Sequence, residues 1–202
     1  LVGSEMCIRD SSIPMRIAIV NNHISYALGG SEIQSDIIAR GLMKRGHDIA
    51  YIAPGGKNTE YDMPYEVIVC RRGGIGDAIV KYSPDIVYWR FYLSRFRETF
   101  KKVRNNNIPL IYVICNRDIL YPWKMDCRIK NPAVRVLKMI RDRWQYGAVR
   151  HADMIMSINR DLLKNVKGIF VPLAMQAHYK AFRWDRPYCI WVSNLRKTKR
   201  PD

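Results

Sequence analysis

The sequence lacks the signatures of several common function classes. It contains neither G-x-G-x-x-G nor G-x-x-x-x-G-K-[ST], so it carries no dinucleotide fingerprint and no P-loop. Its five cysteines form no C-x-x-C pair and its four histidines are scattered, which argues against a zinc site or a disulfide framework. Residues 1–14 contain no signal-peptide core and no apolar run long enough to cross a membrane. These absences predict a cytoplasmic protein with reduced thiols and without a metal or other cofactor.

Acidic side chains are scarce relative to basic ones. The chain has 18 Asp and Glu against 34 Lys and Arg, which gives a formal net charge of +16. A surplus of this size favours polyanionic partners such as nucleic acid, anionic lipid or phosphorylated small molecules. The cations are spread over several predicted elements and no known nucleic-acid reader motif is present, so we expect no specific nucleic-acid partner.

The best-defined local pattern lies near the start of the chain. Residues 16–20 form a short apolar run that predicts a buried strand, and a polar loop follows. Ser31 is a candidate helix cap, and the apolar residues behind it repeat at helical spacing until Gly46, a natural C-cap. Residues 48–53 predict a second strand. The unit is a strand, a glycine turn, a helix and a strand.

The turn of this unit is the first candidate site. Gly29 and Gly30 allow a ligand to approach the backbone without meeting a Cβ, and Glu32 lies in the first turn of the helix. The free N–H groups and partial positive charge of a helix N-terminus suit a phosphate or a carboxylate. The alternative, a tight turn without a ligand, carries similar weight from the residues alone.

The rest of the chain continues the alternation of strands and helices. This pattern predicts an α/β protein with a Rossmann-like, open and mainly parallel sheet that has helices on both faces. Further strands are predicted at residues 65–70, 86–89, 109–115, 153–157 and 169–171. Further helices are predicted at residues 75–82, 92–104, 132–150 and 159–165.

Two further loops are candidate ligand contacts. The turn at Arg71–Gly76 is basic and glycine-rich, which suits phosphate but is also common in surface loops. Asn116, Arg117 and Asp118 follow a predicted buried strand, and open α/β sheets bind ligands at the carboxyl ends of their strands. The alternative for Arg117 and Asp118 is an exposed ion pair.

The predicted helix at residues 132–150 combines an apolar stripe with many cations. The stripe consists of Ala133, Val134, Val136, Leu137, Ile140, Trp144 and Ala148. Such a helix usually packs its apolar stripe on the sheet and exposes its basic face. The alternative is that it lies on the surface of an anionic membrane.

Three segments, in the right order, resemble the family-4 glycosyltransferases, which have the two-domain GT-B fold. The first is the Gly29-Gly30-x-Glu32 turn with the Arg45-Gly46-His47 turn that ends its helix. The second is the strand Ala152–Ser157 (ADMIMS). The third is Trp191–Lys199 (WVSNLRKTK), which is similar to the segment that opens the family's C-terminal domain.

The resemblance implies a domain organisation. Residues 1–14 do not continue the pattern that begins at Met15, and we expect them to be a non-native leader. Residues 15–175 would form the N-terminal, acceptor-side Rossmann-like domain, and residues 176–187 a linker. Residues 188–202 would begin a truncated C-terminal domain that binds the donor. We therefore expect the natural protein to continue beyond Asp202, and the 202-residue chain alone to be inactive.

The resemblance also implies a function. The full-length protein would be a retaining glycosyltransferase that moves a sugar from a nucleotide-sugar donor to a glycan or lipid-linked glycan, at the inner face of the membrane if the acceptor is lipid-linked. In the family, the Gly-Gly backbone lies near the donor diphosphate and the acceptor. Lys199 occupies the position of a lysine that binds this diphosphate, whereas Asn194 replaces the family's arginine.

Several alternatives stay open. Lys199 is also consistent with an exposed loop cation. The family's histidine near the reacting sugar has no counterpart after the strand at residues 109–115, so the sequence identifies no catalytic residue. The alternative function is a non-catalytic α/β module that binds a phosphorylated ligand or a polyanion through its basic surface.

Overall fold

The computed structural model describes residues 13–23, 30–54, 63–90, 96–114, 131–164 and 166–172. Within these ranges the chain forms one seven-stranded sheet in which all neighbouring strands are parallel. The strands β1 to β7 are Arg16–Val20, Asp48–Ala53, Glu66–Val69, Ile86–Trp89, Leu110–Ile114, Met154–Ser157 and Ile169–Phe170. The helices α1 to α4 are Gly30–Met43, Ile75–Tyr82, Phe96–Asn105 and Pro132–Tyr146.

The order of the strands across the sheet is β3-β2-β1-β4-β5-β6-β7. The chain therefore runs outward from β1 to β3 on one side, crosses back, and runs outward from β4 to β7 on the other side. This is the order of a doubly wound, Rossmann-like sheet, as the sequence predicts.

Successive residues of each strand face opposite sides of the sheet, and each side has its own core. Ala18, Val20 and Trp89 belong to the core under α2 and α3, together with Ile79 and Phe100. The other core lies under α1. It consists of Ile17, Ile19, Ala39, Ile49, Tyr51, Ala53 and Tyr65. Helices therefore cover both faces, and β1 and β2 are almost completely buried, which explains their nearly continuous apolar sequences.

The element boundaries follow identifiable local signals. α1 ends at Met43, and Gly46 follows it with φ of +86°, the left-handed conformation that its sequence position predicts. α2 ends at Tyr82 because Ser83 adopts φ of 52° and Pro84 follows. Ser31 is predicted as a helix cap, but the structure places it inside α1, which begins at Gly30.

One prediction for the C-terminal half is partly confirmed and another is wrong. The short helix predicted at residues 159–165 is a 3₁₀ helix, Arg160–Leu163, whose N-cap Asn159 accepts a hydrogen bond from the N–H of Asp161. The predicted packing of the apolar stripe of α4 on the sheet is wrong, since α4 packs mainly against α3 and the 3₁₀ segment Gly147–His151. The exposed fractions are 49% for Val134, 41% for Val136, 65% for Leu137, 54% for Ile140 and 49% for Trp144.

Of the predicted stripe on this helix, Ala148 is buried, in the 3₁₀ segment that follows α4. None of the described helices has both the length and the apolar character needed to cross a bilayer. The predicted leader up to residue 12, the linker and the start of a C-terminal domain lie outside the described residues.

Candidate functional site

The strand order places a topological switch point between β1 and β4. These strands are neighbours in the sheet, yet the chain continues from them in opposite directions, toward β2 and toward β5. Open α/β sheets bind ligands in the crevice beyond the carboxyl ends of the strands at such a switch point, and we call this position the β1/β4 crevice. Asn21 follows β1 and Arg90 follows β4, directly after the paired residues Val20 and Trp89.

Asn21 fixes the first turn of α1 against the end of β1. Its side chain is fully buried, and its amide nitrogen lies 3.2 Å from Oγ of Ser31 and 3.0 Å from Oγ of Ser35. Its Oδ1 accepts a hydrogen bond of 2.7 Å from the N–H of Asn22. The hydroxyls of Ser31 and Ser35 thus bond the strand end instead of capping the helix, and they hold the α1 N-terminus at the crevice.

Gly30 is the first residue of α1 and has open space on its Cβ side. Among the described residues, no heavy atom lies within 4 Å of a Cβ built there, and the residue is exposed. The first N–H groups of an α-helix have no partner inside the helix, and they carry the positive end of its dipole. Gly30 therefore presents an accessible backbone to an anion.

Glu32 is a buried carboxylate in the first turn of α1. It is 8% exposed, and its charge is close enough to Tyr51 on β2 to influence that phenol. Burial is the main cause that raises the pKa of Tyr51, and Glu32 and Tyr65 add to it. The Tyr51 hydroxyl donates a hydrogen bond of 3.0 Å to the carbonyl oxygen of His23. This neutral phenol therefore anchors the loop that leaves β1.

Arg90 is a charged residue of the crevice that the sequence interpretation missed. It is 6% exposed, and its N–H donates to the carbonyl oxygen of Val20 at 3.0 Å. Within the described residues, its Nε has no hydrogen-bond partner. The signal that would have indicated it is a cation placed directly after a buried strand.

The predicted site residues are only partly within the described structure. Gly30 and Glu32 are both in the first turn of α1 at the crevice. Gly29, Asn116, Arg117, Asp118 and Lys199 lie outside the described residues, so their roles stay predictions. At the carboxyl ends of β5 and β6, the Ser157 hydroxyl donates a hydrogen bond of 3.0 Å to the carbonyl oxygen of Ile114. This bond connects the ends of the two strands.

The basic turn at Arg71–Gly76 borders a different cavity. This cavity, of about 430 Å³, lies between the first turn of α2 and α3, on the sheet face opposite α1. Its lining residues are Gly73, Gly76, Asp77, Glu98, Thr99 and Lys102. Lys102 forms an ion pair with Asp77, and Glu98 adds a second carboxylate. The cavity therefore suits an anion less well than the β1/β4 crevice.

The groups around the β1/β4 crevice are mainly hydrogen-bond donors. They are the first N–H groups of α1 and the guanidinium of Arg90, while Glu32 adds one buried carboxylate in the same turn of α1. Across the described ranges, no group of three or more His, Cys, Asp or Glu residues is placed to hold a metal ion. The arrangement is suited to binding an anionic group.

No family model matches the chain, and no curated protein matches it. Solved structures with a similar fold include two glycosyltransferases. One is the glycotransferase of kitacinnamycin, with 13% identity and a TM-score of 0.49, covering 86% of this chain and 55% of that one. The other is an α-glucosyltransferase in complex with UDP and a 13-mer DNA containing an HMU base, with 17% identity and a TM-score of 0.43, covering 78% and 42%.

A third similar structure is the UDP-N-acetylglucosamine 4-epimerase from Bacillus cereus. It has 12% identity and a TM-score of 0.38, and the match covers 71% of this chain and 54% of that one. The chain thus spans about half the length of each of these three solved structures. Likenesses at these identities and TM-scores assign no function to the chain.

Proposed function

We propose that this chain is the acceptor-side part of a retaining glycosyltransferase, which moves a sugar from a nucleotide-sugar to a glycan or lipid-linked glycan. The observation that carries the proposal is the open backbone of Gly30 at the first turn of α1, held at the β1/β4 crevice by Asn21. The resemblance of the Gly29-Gly30-x-Glu32 turn to family-4 glycosyltransferases supports the same assignment.

In this proposal the α1 N-terminus faces the diphosphate of the donor. When the bond between sugar and phosphate breaks, negative charge grows on the departing diphosphate. N–H groups and a helix dipole that are already aimed at this position stabilise that charge more than they stabilise the intact donor. Gly30 is required because any Cβ would occupy the space through which the phosphate approaches.

The remaining predicted residues complete the donor and acceptor site. Lys199 would contact the same diphosphate as a point charge, and Asn116, Arg117 and Asp118 would line the carboxyl edge beside the acceptor. Since the helix and the lysine supply the positive charge, the proposal requires no metal ion. The second domain would supply the nucleotide pocket, so the 202-residue chain alone is expected to transfer no sugar.

The test uses the chain together with whatever its gene encodes beyond Asp202. Nucleotide release is measured with a panel of nucleotide-sugars, in native protein and in Gly30→Val and Gly41→Val. Gly41 is the matched control, because it lies in the same helix and a Cβ built there also has no heavy atom nearby in the described part of the chain. We expect Gly30→Val to lose at least tenfold in transfer rate and Gly41→Val to retain it.

Three results would contradict the proposal. Equal activities of the two valine variants would remove Gly30 from the donor site. Binding of UDP without transfer to any acceptor, by a protein whose gene ends at Asp202, would favour the alternative of a non-catalytic module for phosphorylated ligands. Transfer by the 202-residue chain itself would show that the second domain is not needed.

The acceptor in this proposal is presented at an anionic membrane surface. α4 exposes Val134, Leu137, Ile140 and Trp144 at helical spacing. The same helix carries four basic residues and one acidic residue, so its charge complements anionic lipid. A helix with these two properties binds in the plane of a membrane interface through apolar burial and electrostatic attraction together.

Vesicle co-sedimentation tests this assignment. We expect the chain to bind vesicles that contain phosphatidylglycerol and not vesicles of phosphatidylcholine alone, and Leu137→Glu to abolish the binding. Ile33→Glu is the control, because Ile33 is 48% exposed but lies on α1. Equal losses in the two variants, or equal binding by both kinds of vesicle, would contradict a specific role for α4.

A further inference from the structure

Arg90 is unusual among the charged residues of the chain. Of the described Lys, Arg, Asp and Glu residues, Arg90 and Glu32 are the ones that count as buried, with 6% and 8% exposure. Charged side chains are almost never buried to this degree unless they are paired. Packing alone therefore does not explain why a buried arginine occupies this position.

The alternation of the strand fixes the direction of the Arg90 side chain. Val87 and Trp89 face the core under α2 and α3, whereas Ile86 and Tyr88 pack on the core under α1. By the same alternation, Arg90 faces α1. Asn21 faces α1 as well, because it bonds Ser31 and Ser35 of that helix. Arg90 therefore points into the crevice beside the first turn of α1.

The neighbours of Arg90 do not use its charge. The amide of Asn21 is already bonded to Ser31 and Ser35. The charge of Glu32 acts on Tyr51 of β2, and β2 lies on the other side of β1 from β4. Within the described residues, no carboxylate forms an ion pair with Arg90 and its Nε is without a partner. A buried cation in this state is stabilised by an anion that enters from outside.

We propose that Arg90 binds an anionic group of the acceptor, a carboxylate or a phosphate, and so determines acceptor specificity. The inference rests on the proposed function, which assigns the ligand of this domain as the acceptor. The planar guanidinium recognises both anions with two parallel hydrogen bonds, which a lysine cannot do. The donor diphosphate contacts the exposed backbone of Gly30, and the anionic group of the acceptor contacts Arg90. The two anions therefore bind to different groups of the crevice.

The test titrates the native 202-residue chain with inorganic phosphate and, separately, with glucuronate, and follows amide chemical shifts by NMR. We expect at least one anion to bind in the millimolar range. Arg90→Met should weaken that binding at least tenfold, and Arg90→Lys should weaken it less, because it keeps the charge and loses the fork. Arg40→Met is the control, because Arg40 already pairs with Asp36 on the same helix and should not contribute to anion binding.

The two anions distinguish the two sources of negative charge. Stronger binding of glucuronate indicates an acidic sugar as acceptor, and stronger binding of phosphate indicates a phosphorylated or lipid-phosphate acceptor. Failure of the native chain to bind either anion would overturn the inference. So would binding that is unchanged in Arg90→Lys and in Arg90→Met.

A stability measurement separates recognition from a structural role. An unpaired buried cation destabilises the free protein, so Arg90→Met should have an unchanged or higher Tm without anion, and a smaller Tm increase when anion is added. A lower Tm, or failure of Arg90→Met to fold, would mean that Arg90 holds the fold together, and the inference would be wrong.

The inference and the proposed function fail separately. If nucleotide release requires Gly30 but Arg90→Lys leaves the acceptor KM unchanged, the function stands and the role of Arg90 is wrong. If Arg90 binds the anion and no nucleotide-sugar is used, the anion site stands and the transferase is wrong.

Discussion

Gly168 lies where the chain passes close to β6. A Cβ at this position would stand 2.8 Å from the carbonyl oxygen of Ile155 and 2.8 Å from Cδ2 of Leu163. The backbone oxygen cannot rotate away, so Gly168→Ala should destabilise the fold by about 2 kcal/mol. The measurement is the free energy of unfolding in urea.

Gly41→Ala is the control for this substitution. A Cβ at Gly41 meets no heavy atom of the described ranges within 4 Å, and the position is inside α1. Alanine is favoured over glycine in a helix by ~0.5 to 1 kcal/mol, so this variant should be more stable than the native chain. If both alanine variants were equally stable, the contact between Gly168 and β6 would be wrong.

Tyr82 connects the fold to pH. Burial, and then the nearby carboxylate of Asp48, raise the pKa of Tyr82 to about 12 from its ordinary value of 10.0. Between these values the unfolded chain loses this proton while the folded chain keeps it. The stabilisation of the fold that comes from the raised pKa of Tyr82 is therefore complete below pH 10 and is lost as the pH rises toward 12.

Tyr82→Phe isolates this effect. Its hydroxyl has no hydrogen-bond partner among the described residues, so its removal should leave stability near pH 7 unchanged or slightly higher. Between pH 10 and 12, the variant should lose less stability than the native chain. The free energy of unfolding measured across this range would contradict the assignment if the two proteins lost the same amount.

The sequence around Arg90 does not reveal that this residue belongs to the candidate site. Its place after a short apolar run predicts that it ends a strand. The sequence does not say that β4 lies next to β1, which is what brings Arg90 beside Asn21 and the α1 N-terminus. That adjacency depends on contacts far apart in the chain, and no local pattern encodes it.

At the scale of elements, sequence patterns predict most strands and helices because each one is bounded by a local signal. α2 and β4 lie at the predicted residues, since Gly74, Ser83 and Pro84 delimit them. The exposure of the apolar stripe of α4 is not predicted, because such a stripe has the same spacing whether it faces a sheet or the exterior. The packing of α4 against α3 determines that this stripe is exposed.

The exposure of α4 gives a matched comparison of two isoleucines. Ile140 on α4 is 54% exposed, and Ile79 on α2 is fully buried between the sheet and α3. Ile79→Ala should cost about 3 kcal/mol through lost burial and the cavity that remains. Ile140→Ala should change stability by less than ~0.5 kcal/mol, because little apolar surface is buried and alanine favours the helix.

Thermal or urea unfolding of both variants checks the comparison. Equal losses would mean that α4 is covered in the folded chain and that the predicted packing of its stripe was right after all. A loss confined to Ile79→Ala would leave the apolar face of α4 available for the proposed membrane contact.

At the scale of the whole molecule, the Rossmann-like class follows from the alternation of elements, whereas the crevice follows from the strand order. Net charge is the other property of the whole chain that the sequence predicts, at +16. The net charge predicts the kind of partner that the chain binds and not its fold, because charge of one sign acts over the entire surface.

This charge predicts weak, non-specific binding to any polyanion. Binding to a DNA duplex should release counterions, so the affinity should fall steeply, by roughly a hundredfold or more, between about 50 and 200 mM salt. Two duplexes of unrelated sequence should bind equally, and Arg90→Met should bind them like the native chain because its guanidinium is buried.

Fluorescence anisotropy with the two duplexes at several salt concentrations makes this measurement. Binding that distinguishes the two sequences and survives 200 mM salt, on the order of physiological strength, would identify a nucleic-acid reader and displace the proposed transferase. Equal and salt-sensitive binding would mean that the cations act through the overall electrostatic field of the molecule and not at a specific DNA site. The specific anion chemistry then belongs to the crevice, where the α1 N-terminus and Arg90 act at short range and are screened by salt much less.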